Sequence, residues 1–157
     1  MKKLICILFV VLVMFCLPLK QKTFLQVIKS PSQAQYTLYT NQQIVPVSSG
    51  FNNIISGKLN ILSCDIDSAS ALYLNNRDNV IGQQISFECD NSTFYNYLKN
   101  LDCKIVFQEQ IGDIKSFYCY NALLDGKMTL PYGSVNLQVC YNNGRVTVGS
   151  PVIIGSY

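Results

Sequence analysis

The chain has 157 residues and a formal net charge of +3; hydrophobic residues make up 49% of it and charged residues 13%. This balance excludes a disordered chain and supplies enough apolar side chains for a packed core. The length suits one domain or two small ones. Because the sequence contains no His, it excludes Ser-His and Cys-His catalytic arrangements and every His-ligated metal site.

The first 22 residues combine positive charge with an apolar run. Two lysines precede residues 4–19, which carry no charge, and two more lysines follow them. A positive start followed by an apolar stretch of this size predicts export. We therefore expect residues 1–22 to be a signal peptide or an N-terminal membrane anchor, with the rest of the chain outside. The protein is then secreted if the leader is cleaved, or membrane-anchored and facing outside if it is retained.

The excess positive charge belongs entirely to this leader. The remaining sequence has 8 basic and 9 acidic residues, and the basic ones are scattered. Nucleic-acid-binding domains usually carry a basic stripe on their surface. The distribution therefore makes nucleic acid an unlikely partner.

Beyond the leader, the sequence predicts a linker followed by one exterior domain. Residues 23–35 are mostly polar and form the predicted linker, so the domain spans residues 36–157. Residues 36–47 are rich in strand formers. Residues 54–62 alternate imperfectly and predict a second strand. Residues 65–79 fit a short helix or a strand and end in an Asn- and Asp-rich turn.

The clearest helix follows a predicted strand at residues 80–89. Asp90 or Asn91 supplies its N-cap, and apolar side chains then recur at helical spacing from Phe94 to Leu101. Such a stripe is typical of a helix that packs against a sheet.

Two hairpins complete the predicted domain. Residues 104–110 and 114–120 form the first, and residues 134–141 and 145–154 form the second, around an Asn-Asn-Gly turn. The first strand of the second hairpin alternates apolar and polar residues. The pattern as a whole predicts an α+β fold, with a short helix on one face of an antiparallel sheet.

Five cysteines lie beyond the leader. Their number is odd, so at most two internal disulfides can form. The CxxC spacing typical of zinc and redox centres does not occur. They are either small apolar residues on strands or, in an oxidising exterior, partners in one or two disulfides. The five are Cys64, Cys89, Cys103, Cys119 and Cys140.

Two acidic residues form the sequence's weak candidate site. If Asp65 and Asp67 lie on a strand, both carboxylates face the same side and could bind a hard cation. Such a site would make the protein a small extracytoplasmic hydrolase or cation-binding protein, which is the alternative function. A pair of solvated carboxylates at a turn is the preferred interpretation. No residue pattern assigns a catalytic residue, a metal ligand or a cofactor.

Tyrosine is abundant in the domain. Tyr side chains could line a sugar- or peptide-binding face, or they could pack at half-buried strand positions. The residues concerned are Tyr36, Tyr39, Tyr95, Tyr97, Tyr118, Tyr120, Tyr132 and Tyr141.

The C-terminal hairpin resembles the ending of the YwmB family, in which an Asn-Leu-Gln strand is followed by a turn, a Thr-Val-Gly-x-Pro strand and a final Tyr. The resemblance covers residues 80–157 and is specific in the last 25 or so. Gly149 and Pro151 could simply shape a strand end, and Tyr157 could anchor the terminus. The matching positions are Asn136, Leu137, Gln138, Thr147, Val148, Gly149, Pro151 and Tyr157.

The resemblance implies an exported or membrane-anchored protein of Gram-positive bacteria with a TATA-box-binding-protein-like fold of two sheet-plus-helix halves. It implies no catalytic residue and no cofactor. Because only about 45 residues lie between the linker and Val80, we expect a truncated N-terminal half. The expected function is a non-enzymatic envelope interaction module whose partner is an envelope protein or the cell wall. DNA binding is a third, disfavoured function, because export and the net charge of −1 beyond the leader both oppose it, and fold alone does not imply function.

Overall fold

The computed structural model of the protein describes residues 21–41 and 51–154. The apolar run at residues 4–19, the second part of the strand predicted over residues 36–47, and Tyr157 lie outside these ranges. In the described part, the helices are α1 (Phe24–Val27), α2 (Ala69–Asn76) and α3 (Asn91–Asn100). The strands are β1 (Gln35–Thr40), β2 (Asn52–Ser56), β3 (Leu59–Asp65), β4 (Val80–Glu88), β5 (Lys104–Ile111), β6 (Ile114–Tyr120), β7 (Met128–Leu130), β8 (Gly133–Val135), β9 (Leu137–Asn142) and β10 (Arg145–Ser150).

Eight strands form one sheet in the order β2-β3-β1-β4-β10-β9-β6-β5, and β7 pairs with β8 in a separate hairpin. Every neighbouring pair is antiparallel. The predicted α+β class is thus confirmed. The N-terminal half consists of β1, β2, β3 and α2; the C-terminal half consists of β4, β5, β6, β9, β10 and α3. The two halves meet where β1 pairs with β4.

Helix α3 forms where the sequence predicts it. The Asp90 carboxylate caps it by accepting hydrogen bonds from the Thr93 backbone amide at 2.8 Å and from the Ser92 hydroxyl at 2.6 Å. These hydrogen bonds lower the pKa of Asp90 below its ordinary value. Phe94 and Leu98 are buried one turn apart, so the apolar stripe faces the sheet.

The N-terminal half differs from its predicted strands. The single strand predicted over residues 54–62 is wrong, because the chain reverses at Gly57, where φ is +64°, and forms the β2–β3 hairpin. Glycine adopts positive φ at little steric cost. Residues 65–79 are largely helical: α2 lies between two 3₁₀ turns, Ile66–Ser68 and Arg77–Asn79. The predicted turn therefore begins inside a helix.

Residues 23–35, predicted to be a linker, are packed onto the domain. Phe24, Ile28 and Ala34 are at most 3% exposed and belong to the main core. The Lys22 amide also donates a hydrogen bond to the Leu123 carbonyl at 2.8 Å. This segment is therefore part of the folded domain. Within the described ranges, no helix has the length and apolarity needed to cross a membrane.

One core joins the two halves of the sheet. Tyr36 and Leu62 from the N-terminal half share it with Phe94, Leu137 and Val148 from the C-terminal half. All five are at most 1% exposed. Apolar burial on this scale is the main stabilising contribution to a domain of this size, and it holds all three helices against the same sheet.

Candidate functional site

The acidic pair is not presented on one strand face. Asp65 is the last residue of β3, whereas Asp67 lies in the 3₁₀ turn that follows. Both residues are exposed. Among the residues that the structure describes, no group of three or more Cys, Asp or Glu is placed to hold a metal ion. The arrangement is that of two solvated carboxylates at the end of a strand.

The buried side chain of Asn136 hydrogen-bonds to the backbone of the loop at residues 121–124. Its side-chain amide donates hydrogen bonds to the carbonyls of Asn121 and Leu124, at 2.8 and 3.1 Å, and its side-chain oxygen accepts one from the Asn121 amide at 2.8 Å. Asn136 has no exposed surface. Buried backbone groups need such partners, so this side chain fixes the turn at residues 121–124.

Gln138 and Gly149 hold the last described residues against the sheet. The Gln138 side-chain oxygen accepts a hydrogen bond from the Ile153 amide at 3.1 Å. A Cβ atom at Gly149 would lie 2.7 Å from the Ile153 nitrogen, so only glycine allows this approach. Both residues therefore have a structural task.

The other motif residues lie in or beside the same packing. Leu137 and Val148 are unexposed core residues, and Thr147 is 5% exposed. Pro151 is half-buried just after β10, and Tyr157 lies outside the described residues. None of the described motif residues lines the clefts beside Tyr73, Lys104, Lys115 and Ala122.

A cleft of about 340 Å³ opens where β5 and β6 meet the β7–β8 hairpin. We call it the Lys–Tyr cleft. Lys104 begins β5 and is paired directly with Tyr120, the last residue of β6. The residues that line the Lys–Tyr cleft are Lys104, Val106, Tyr120, Lys127, Tyr132, Gly133 and Ser134.

Two contacts hold the β7–β8 hairpin beside β5. Val106 lies in the bulge of β5 and packs closely against Gly133. A Cβ atom at Gly133 would lie only 2.9 Å from a methyl carbon of Val106. Gly133 also has a φ of +137°. The Tyr132 ring stacks on Phe107 with ring centres 4.4 Å apart and planes 10° apart. A bulge changes the direction of the side chains at a strand edge. Here Phe107, just after the bulge, stacks on Tyr132, which lines the cleft.

The Lys–Tyr cleft is positively charged and partly aromatic. Within residues 21–41 and 51–154, neither Lys104 nor Lys127 is in an ion pair. Tyr132 is 65% exposed and Tyr120 is 38% exposed. The lining residues thus offer two ammonium groups and two accessible phenol rings. Such groups can pair with an anion and stack on a ring of a ligand.

The sequence predicts only part of this site. Tyr120 and Tyr132 are among the tyrosines considered for a binding face, whereas Tyr36 is unexposed and packs in the core. Lys104 and Lys127 belong to the scattered basic residues of the sequence. They are 23 residues apart in the sequence, and only the pairing of β5 with β6 and the turn before β7 bring them to one cleft.

Comparisons of the chain with protein-family models, with curated proteins and with solved structures give no match.

Proposed function

We propose that the protein is an exported, non-enzymatic interaction module of the cell envelope that binds an anionic saccharide of the cell wall in the Lys–Tyr cleft. The observation that carries this proposal is the placement of Lys104 and Lys127, without ion-pair partners in the described structure, beside the exposed rings of Tyr120 and Tyr132. The apolar run at residues 4–19 supports export and attachment to the membrane.

Membership of the YwmB family and a TATA-box-binding-protein-like fold are parts of the same proposal. The Asn-Leu-Gln and Thr-Val-Gly-x-Pro residues support membership. The division of the sheet into two halves, each with a helix, supports the fold. The smaller N-terminal half agrees with a truncated first unit.

The chemistry of the cleft favours a charged saccharide over an uncharged one. An ammonium group on a flexible stem pairs with phosphate or carboxylate, and the attraction weakens as salt rises. A tyrosine ring offers an apolar face to a sugar ring and a hydroxyl to its polar edge. The volume lies near the lower end for ligand clefts, so the cleft would hold a short segment of a polymer.

Sedimentation with purified cell-wall sacculi tests the proposal. The full chain in detergent micelles is mixed with sacculi that carry their phosphate-bearing polymers, or with sacculi from which hydrofluoric acid has removed them. We expect binding to the first preparation only. The double variant Lys104→Ala/Lys127→Ala should bind about tenfold more weakly, because two ion pairs of ordinary surface strength are lost.

A charge-matched double variant supplies the control. Lys58→Ala/Lys99→Ala removes two exposed lysines elsewhere on the domain and should bind like the unaltered chain. Equal weakening by both double variants would show a non-specific charge effect and contradict the proposal. Unchanged binding to acid-treated sacculi would contradict the choice of an anionic polymer.

A further inference from the structure

Cys103 and Cys119 lie next to each other on the core-facing side of the β5–β6 hairpin, and their thiols interact. Cys103 immediately precedes β5, and Cys119 is paired with Ile105 on the neighbouring strand β6. The two cysteines are thus diagonal neighbours across an antiparallel pair, a relation that keeps side chains on the same face. The two thiols share a side-chain hydrogen bond, and the Cys119 sulfur also lies 3.8 Å from the Phe117 carbonyl oxygen, which is a second acceptor for its proton.

The two thiols have unequal environments. Cys103 is only partly buried, whereas Cys119 has no exposed surface. The hydrogen bond with Cys119 lowers the pKa of Cys103, and the same bond together with burial raises the pKa of Cys119. Cys103 is therefore the better nucleophile and the one that solvent reaches.

The other described cysteines have different neighbours. The Cys140 thiol interacts with the Ser116 hydroxyl, and the Cys89 thiol donates to the Asp90 carbonyl at 3.4 Å. Cys64 is buried near Tyr36, and burial raises its pKa to about 11. Among the cysteines of the described ranges, Cys103 and Cys119 form the pair in thiol contact.

We propose that Cys103 and Cys119 form an intramolecular disulfide by exchange with a disulfide oxidant outside the cell. The Cys103 thiolate attacks one sulfur of the oxidant, which forms a mixed disulfide and releases one thiol. The Cys119 sulfur then attacks the Cys103 sulfur and expels the second thiol, which takes up the proton that Cys119 loses. The two protein thiols are oxidised by two electrons, and the oxidant disulfide is reduced to two thiols.

The disulfide would close a loop that contains the whole β5–β6 hairpin. It would also join the positions next to Lys104 and Tyr120, the paired residues of the cleft. A closed loop of about 15 residues restricts the unfolded chain, so the melting temperature should rise by about 10 °C on oxidation. This inference rests on the contact of the two thiols and stands without the proposed ligand.

Peptide mapping after oxidation tests the inference. The full chain in detergent is treated at neutral pH with oxidised glutathione, alkylated without reduction, unfolded and digested with trypsin. Cleavage after the lysines isolates Cys103 in residues 100–104 and Cys119 in residues 116–127. We expect these two peptides to be linked, with a mass 2 Da below the sum of the free peptides, and to separate after reduction.

Two single variants sharpen the assignment. Cys103→Ala, at a partly exposed position, should abolish the linked peptide and the oxidation-dependent rise in melting temperature. Cys140→Ala should leave both unchanged. Persistence of both free peptides after oxidation of the folded chain, or linkage of either cysteine to another, would overturn the inference. This outcome is independent of saccharide binding, which is measured separately with sacculi.

Discussion

The two halves of the sheet end in different kinds of edge. The N-terminal half ends in β2, where all five residues are exposed, including Ile54 at 61% and Ile55 at 56%. The C-terminal half ends in β5, which carries a bulge and is flanked by the β7–β8 hairpin at Val106 and Gly133. Among the described strands, none pairs with the outer side of β2, and such an edge has free hydrogen-bonding groups. The flanked β5 edge instead contains the Lys–Tyr cleft.

Buried amide side chains also have different partners in the two halves. In the C-terminal half, Asn136 and Gln138 hydrogen-bond to backbone groups of loops that are distant in the sequence. In the N-terminal half, the buried Asn76 bonds to the Leu72 carbonyl of its own helix. The comparison teaches that two loop segments of the C-terminal half, at residues 121–124 and at Ile153, are fixed by side chains from inside the domain.

The largest loss of stability should come from removing the Asn136 side chain. Asn136→Ala deletes three hydrogen bonds and leaves buried groups of Asn121 and Leu124 without their side-chain partner. We expect the free energy of unfolding to fall by about 3 kcal/mol. Asn76→Ala removes a single local hydrogen bond and should cost about 1 kcal/mol. Urea unfolding monitored by circular dichroism measures both variants. Equal losses in the two halves would contradict the comparison.

A smaller effect should come from the close approach at Gly149. Gly149→Ala forces its new methyl group against the backbone of Ile153, and we expect a loss of about 1–3 kcal/mol. Gly82→Ala is the matched control, because its methyl group would meet chiefly the tip of the flexible Ile154 side chain. The two variants differ little if the C-terminal segment moves freely, and denaturant midpoints would show this.

The smallest of these effects concerns the helix caps. Asp90 caps α3 in the C-terminal half, whereas Ser68, the N-cap of α2, makes no capping hydrogen bond through its side chain. We expect Asp90→Ala to lower the melting temperature at neutral pH by about 2–4 °C and Ser68→Ala to lower it by less than about 1 °C.

This cap should depend on pH. Because hydrogen bonds lower the pKa of Asp90 from its ordinary 3.8, its stabilisation is fully present above that value and is lost as the pH falls through the folded pKa. The difference between the unaltered chain and Asp90→Ala should therefore narrow below pH 3.8. Thermal melts between pH 7 and strongly acidic pH test this, and a constant difference would contradict the capping role.

Sequence patterns predicted the elements whose local signals agree with their tertiary surroundings. Helix α3 has a polar cap at Asp90 and buried apolar residues at helical spacing, and β9 and β10 flank a turn in which Asn143 and Gly144 both have positive φ. Local propensity and packing favour the same conformation in each case.

The remaining features depend on contacts between distant residues. The apolar residues Ile54 and Ile55 are exposed on β2. Their apolar character suggested a single buried strand across Gly57, whereas the chain forms a hairpin there. Phe24 and Ile28 are buried although their segment is mostly polar. Lys104 and Lys127 enter one cleft only through the strand order. Burial and convergence of this kind are set by the whole fold.

If the leader is retained as a membrane anchor, the hydrogen bond between the Lys22 amide and the Leu123 carbonyl limits how far the domain can move from the membrane. Only two residues separate the apolar run at residues 4–19 from Lys22, and an extended chain spans about 3.5 Å per residue. The chain between the end of the apolar run and Lys22 can therefore span at most about 10 Å. The turn that carries Lys127 is then kept within a thin layer next to the bilayer, and the cleft would sample polymers that begin at the membrane surface.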